Sequence, residues 1–416
     1  PILNQVSYVL KDSNSQVLKL ENFSFEASSE LEKAPHEICK QSFSKNEAND
    51  STIVNGNNNI DDPRNWSSKK KWLILTIATL TGISMPIAVT ITIPTLVVVQ
   101  EEFNASILTI DAFGSVYTIF LGIGPIVFAA YSDEFATRKK VYIASLLVFI
   151  LASVVCAIAT NIWLLIIMRA VQACGNSAVL PLGAGIISDI YFPLERGRAF
   201  GLFYFIFWLG PTLGPIFGGF ITQYLSWRWN FWLLTIFGSV LLFLILFFLP
   251  ETFNADSLKT NPSSKFNPIS PLKLLKYPNI TLVIIYICIS TLLMHIQGIS
   301  IPINFSARYN FTTSQIGLFF ISQSFGLMFG SILGGKYSDY LAQKSLITEE
   351  YCPEIRIKSA FGMLSTLSTL STYLVDSCPG RGASVMAITS LFRLAIPGII
   401  IIFETSIEES LGVRWT

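Results

Sequence analysis

The sequence predicts an all-α polytopic membrane protein built as two helical bundles, the second of them incomplete. Three observations carry that expectation. Of 416 residues, 51% are hydrophobic and only 13% charged, about half the charged share of a soluble protein. The charges are also segregated: Arg169 is the only one from Val141 to Ser188, and Arg228 the only one between Ala199 and Pro250. Finally, the apolar run Ala199–Gln223 contains Gly210, Pro211, Gly214, Pro215, Gly218 and Gly219. That pattern would ruin a soluble helix. In a bilayer, neighbouring helices can satisfy the carbonyls that proline frees, and glycines at helical spacing leave a smooth face for close packing.

Residues 1–68 are rich in Ser, Asn, Glu and Lys without apolar periodicity, and read as a disordered cytosolic tail. No charged-apolar-small pattern marks a signal peptide. The chain begins with Pro1 rather than Met, so a short preceding stretch is expected. Runs of spanning length follow at about Trp72–Val99, Leu108–Tyr131, Val141–Thr160, Ile162–Ser188, Ala199–Gln223 and Trp229–Leu249. They make a first bundle over 69–250. A polar loop over 251–278 with four lysines separates it from a second set over 279–416. There the runs are Asn279–Ile303, Ser314–Gly335, the weak Ser359–Val375, and Gly382–Phe403.

Direction follows from basic residues near the span ends. Arg64 and Lys69–Lys71, then Arg138, Lys139 and Lys140, then Arg196 and Arg198 mark one side, whereas the loops around Glu101 and Asn161 hold no Lys or Arg. The N-terminus and central loop are therefore expected in the cytosol. If Ser359–Val375 is a crossing, the polar turn Asp376–Gly382 falls outside, and the two halves lose parity.

Several motifs occur in order. Asp62-Pro63-Arg64-Asn65-Trp66 precedes the first span, Trp227-Arg228-Trp229-Asn230-Phe231-Trp232 opens the sixth, and Pro250-Glu251-Thr252 closes it. Tyr373-Leu374-Val375-Asp376-Ser377 with Pro379, Gly380, Ala383 and Ser384 comes near the end. Together with the Gly-Pro pairs, this set resembles the major facilitator superfamily, and more narrowly its fungal drug:proton antiporters with twelve spans. The resemblance covers nearly everything from Asp62 onward. It implies a major facilitator fold in which Arg356–Ser359 joins almost directly to the middle of span ten, so that span nine is absent. Gly412-Val413-Arg414-Trp415-Thr416 is similar to the approach to span twelve.

Ser132–Lys139 resembles the superfamily's conformational latch, with Asp133, Arg138 and Lys139 matching, Ala129 and Ala136 for its glycines, and Glu134 for its first arginine. Gly335 and Asp339 keep the spacing of the second-half counterpart. The competing reading is that these charges only obey the positive-inside rule. Arg169, Gln172 and Gly175 resemble a proton-coupling motif; otherwise Arg169 snorkels to the surface. Asp111, on the face of Gly114 and Thr118, is the candidate carboxylate for coupling, or else a solvated helix-start acid. Glu404 is a weaker case of the same kind. His295 and Gln297 form a polar cluster ahead of Pro302 that either lines a cavity or bonds a neighbouring helix. Tyr117, Tyr204, Phe207 and Arg393 complete the candidate substrate cavity, with Arg393 expected to pair with an acid.

The six cysteines are scattered, without metal-ligand spacing or a disulfide framework. No nucleotide-binding loop or nucleophile–base set occurs, so neither an enzyme nor an ATP-driven pump is indicated, and no cofactor or metal is expected. The resemblance implies proton-coupled export of small organic, drug-like or cationic compounds by alternating access, in the plasma membrane. Expected partners are the lipid bilayer, the substrate and protons, with no nucleic acid, the chain acting as a monomer. The alternative is a non-transporting relative, favoured by the missing spans.

Overall fold

The computed structural model describes residues 62–134, 137–253, 270–309, 313–347, 356–357, 362–378 and 381–400. All regular structure in them is helical. Helices α1 (Ser68–Gly82) and α2 (Ser84–Thr90) make the first span, followed by α3 (Leu96–Phe103). Helices α4 (Ile107–Ile123) and α5 (Pro125–Glu134) make the second, α6 (Lys139–Ala157) the third, and α7 (Ile162–Ser177) with α8 (Val179–Ile190) the fourth. The fifth is α9 (Pro193–Phe207) and α10 (Gly210–Tyr224), and the sixth α11 (Arg228–Phe248). The second set comprises α12 (Pro278–Tyr309), α13 (Thr313–Ile347), α14 (Gly362–Ser377) and α15 (Gly382–Ser390), the last running into a π-helical turn at Leu391–Ala395.

Seven helical stretches among the described residues are long and apolar enough to cross a membrane. Six lie in the first half, and Gly382–Ile400 is the seventh. Large apolar side chains such as Leu151, Phe220, Ile236, Phe243 and Phe247 are more than half exposed on the outer faces. Lipid is the solvent such a surface suits. Inside the helices, Ser and Thr hydroxyls bond back to the preceding turn, as Ser153 does to the Phe149 carbonyl and Thr389 to that of Val385. Their donors are thereby satisfied without water.

Small residues set the close crossings. A Cβ on Gly210 would fall 2.5 Å from Pro86 Cγ, one on Gly214 would collide with Thr90 Oγ1, and one on Gly218 with the Ile91 carbonyl. These three glycines, one turn apart, let α10 lie directly against α2 and its continuation. Pro211 has no N–H for the Phe207 carbonyl, and the fifth span breaks at Trp208–Leu209; the helix then runs on through Pro215. The bend thus forms at the first of the two prolines predicted to kink the chain.

Asp133, Arg138, Arg196 and Glu251 of the first half meet Asp339, Arg356, Asp376 and Ser384 of the second at one end, directly or through a shared partner. This is the basic end of the bundle. At the opposite end Glu102 pairs with Arg228 at 2.7 Å, and Arg228 donates to the Ala159 carbonyl at 3.1 Å. The Asp376–Gly382 turn is expected outside only if Ser359–Val375 is a true crossing. Asp376 pairs with Arg196 and Arg356 at 2.6 and 2.7 Å, so the turn stands at the basic end. Helix α14 returns to the end where Arg356 already lies, which is why it cannot count as a simple crossing.

Candidate functional site

The basic end is held by carboxylates placed at helix N-termini. Asp133, at the end of α5, accepts from Ser384 N–H at 2.8 Å and Ser384 Oγ at 2.6 Å, bridging the first half to the start of α15. Its other oxygen meets Arg138 at 2.5 Å, and Arg138 also reaches Asp189 at 3.1 Å. The Arg138 guanidinium lies against the backbone of Gly185, where a Cβ would fall 2.9 Å from Cζ. Glu251 caps α6 from outside, accepting from the N–H of Arg138 at 2.7 Å. In the second half, Asp339 accepts from Gly197 and Arg198 N–H of α9, each at 2.8 Å, and from Arg356 at 3.3 Å. Arg356 further donates to the Pro193 carbonyl. Each half therefore offers one buried aspartate to backbone N–H groups near the start of a helix in the other.

The second cluster is inside the first half. Arg169 is 1% exposed, so it does not snorkel to the surface. It donates to the Ala88 carbonyl at 3.2–3.3 Å, Thr92 Oγ1 at 3.1 Å and Gln172 Oε1 at 2.8 Å, with Tyr117 stacked 4.0 Å from the guanidinium. Ala88 precedes the end of α2 by only two residues, where its carbonyl is within reach of a side chain. Gln172 Nε2 donates to Ser153 Oγ at 2.6 Å. Asn176 donates to Tyr117 Oη at 3.0 Å and accepts from Ser84 at 2.8 Å. This continuous polar chain links the first, second, third and fourth spans.

The third group lies on the seam between halves. Tyr204 Oη and Ser371 Oγ share a hydrogen bond of 2.8 Å across α9 and α14. Phe207 packs edge-on against Tyr204 at 5.9 Å. Arg393, at the centre of the π turn, is 4% exposed and lies within electrostatic reach of the Tyr204 phenol.

The structure thus joins Arg169 to Gln172 but does not bring Asp111 to them; Asp111 is half-buried about one turn into α4. Asp133, Arg138 and Asp339 meet at the basic end. Lys139 stays within the first half, its ammonium on the Leu246 carbonyl. Gly335 packs against the Gly197 carbonyl and so sets the approach of α13 to α9. Gly219, unlike its neighbours, has nothing closer to a Cβ than Pro94 at 4.0 Å. Tyr117 is fully buried against Arg169 rather than lining an open cavity. Among the described residues no acid is paired with Arg393. The side chains of His295 and Gln297, and all of Glu404 and Ala136, lie outside the described residues.

Sequence reasoning missed Asp189, Glu251, Ser384, Arg196, Arg356 and Asp376 as members of the basic-end network. Asp189 and Glu251 carried a signal, since each is an isolated acid closing a long apolar run. The described carboxylates all stand toward the two ends, whereas the charges at middle depth are Arg169 and Arg393.

The pattern that describes the Major Facilitator Superfamily matches residues 78–403. The chain is 35% identical to MFS antiporter QDR3 of Candida albicans over 192 residues, 46% of this chain and 27% of that protein. It is 31% identical to citrate exporter 1 of Aspergillus niger over 319 residues, 69% of this chain and 60% of that protein. The aligned part thus spans less than two thirds of either relative. Among solved structures, the human organic anion transporter MFSD10 (TETRAN) is similar in fold, with a TM-score of 0.60 at 16% identity. That match covers 83% of this chain and 95% of the other.

Proposed function

Because this chain belongs to the Major Facilitator Superfamily, we propose that its transport is proton-coupled export of small organic compounds by alternating access. The observation that carries the reading is the reciprocal pair of aspartates, Asp133 on Ser384 and Asp339 on Gly197 and Arg198. Contacts of this kind close one end of a two-part bundle and can be broken as a unit, as a bistable element requires. The relatives point the same way, being an antiporter and an exporter by name. The basic end is assigned to the cytosol and the membrane to the plasma membrane, with the chain acting as a monomer. Arg169 and Gln172 hold the first half's polar chain, and Asp111 is the proton-carrying group in this reading.

A second reading, that the chain does not transport, is favoured by the run from Arg356 to Gly362. Arg356 is paired at the basic end, and α14 begins six residues later only to return there.

Efflux from proteoliposomes, with and without an imposed proton gradient, separates the two. The proposal expects export that depends on the gradient and becomes independent of it in Asp111→Asn. Correct insertion with no movement of any tested compound would establish the second reading.

A further inference from the structure

Of the two arginines at middle depth, only Arg169 has its charge accounted for by hydrogen bonds. Arg393 lies eleven residues beyond Gly382, about 16 Å of helix rise, which is near the centre of a hydrocarbon core about 30 Å thick. It is 4% exposed, and its Nε has no hydrogen-bond partner; the same holds for Arg169 Nε, but the Nη atoms of Arg169 are bonded to Ala88, Thr92 and Gln172. No described carboxylate is paired with it. A guanidinium keeps its proton at any physiological pH, so the charge cannot be relieved by titration. A buried cation in such a place calls for a counter-charge.

The surroundings offer donors from both halves. The Tyr204 phenol, within electrostatic reach of Arg393, is hydrogen-bonded to Ser371 at 2.8 Å. The backbone around Arg393 is itself unusual. Leu391–Ala395 is π-helical, and the Phe392 carbonyl accepts from Cys288 Sγ at 3.3 Å. Such turns recur at functional sites because they re-aim one side chain within a helix. Gly122 keeps the turn pressed on the first half, since a Cβ there would fall 2.8 Å from the Ala395 nitrogen. Arg393 is therefore held at the seam, where ligand sites of two-repeat transporters form.

We propose that Arg393, with the hydroxyls of Tyr204 and Ser371, binds the carboxylate of a small organic anion, so that the cargo is anionic rather than cationic. The guanidinium supplies charge and a planar pair of N–H donors, and the two hydroxyls supply neutral donors once they turn from each other to the ligand. This deepens the transport reading and rests on it for the word cargo; the binding site stands by itself.

The test is saturable binding to the purified full-length chain in nanodiscs. The probes are citrate, malate and salicylate, with sodium chloride and tetraphenylphosphonium as controls. At least one carboxylate should bind above equimolar chloride. Arg393→Gln should weaken it about tenfold or more, as expected for loss of a charge-assisted pair. Tyr204→Phe, which keeps the ring and its packing, should weaken it several-fold and decides the matter if Arg393→Gln fails to fold. Binding of no carboxylate beyond the chloride level, equal binding by the variants, or binding of tetraphenylphosphonium alone would overturn the proposal. Carboxylate binding without movement in proteoliposomes would defeat the transport reading and leave the site. Export of tetraphenylphosphonium alone would do the reverse.

Discussion

Asp133 and Ser384, 251 positions apart in sequence, are joined by two hydrogen bonds of 2.8 and 2.6 Å to a single carboxylate oxygen. The contact ties the end of the second span to the first turn of α15. A hydrogen bond to a charged group contributes about 1.5–3 kcal/mol. Losing both bonds should therefore shift the closed-to-open balance at this end by about 3 kcal/mol, on the order of a hundredfold. Cys378 reports it, because it is buried at the basic end, six residues before Ser384 in the chain, and burial pushes its thiol up to about 11. Asp133→Ala should speed alkylation of Cys378 by N-ethylmaleimide. An unchanged rate would mean the contact does not close this end.

The glycine face of α10 makes a paired prediction. Gly218→Ala drives a methyl into the Ile91 carbonyl, whereas Gly219→Ala makes only an ordinary contact with Pro94 at 4.0 Å. The first should cost about 1–3 kcal/mol through overpacking, and the second should be neutral or slightly stabilising. Thermal unfolding of the two variants side by side measures the difference; equal melting temperatures would refute close packing here.

Arg169→Lys should not restore what Arg169→Ala loses. The guanidinium spans the Ala88 carbonyl, Thr92 and Gln172 at once, and an ammonium cannot present that planar fork. With each bond to the charge worth about 1.5–3 kcal/mol, both variants should lower the monodisperse folded fraction seen by size exclusion. Recovery of the wild-type profile by lysine would show that charge alone suffices.

Glu102 gives a pH dependence with a defined sign. Burial pushes its carboxyl up, but hydrogen bonds from Trp227 and Arg228 and the attraction of that guanidinium outweigh it, leaving the carboxyl below its ordinary range. A lowered carboxyl stabilises the fold above the unfolded value, about 4.3, and loses that contribution as pH falls through the folded one. The melting-temperature gap between wild type and Glu102→Gln should hold steady from neutral pH and close only below about pH 4. A gap closing near pH 6 would contradict the assignment.

The six spans of the first half were legible because lipid enforces long apolar runs, and the structure moves their ends by only a few residues. Lys69–Lys71 belong to α1 although hydropathy excluded them, since long cationic side chains reach the interface while their backbone stays helical. Asp133 and Asp339 were legible as motif positions. Their acceptor role toward Ser384, Gly197 and Arg198 was not, because backbone N–H groups leave no trace in composition. Arg169 showed its helical neighbour Gln172, yet Ala88, on another span, was invisible. The π turn at Arg393 likewise has no periodic signature, as one extra residue per turn is smaller than the uncertainty of any apolar stripe.

Alternating access, as proposed, requires the two halves to rock about their seam and so to open and close the basic end. Pulsed electron–electron distances between spin labels at Tyr131 on α5 and Arg381 before α15 test it most directly, in nanodiscs at two pH values and with Asp133→Ala. The account predicts a short distance in the wild type and growth of a second, longer population in the variant. A single distribution unmoved by the substitution and by pH would contradict it.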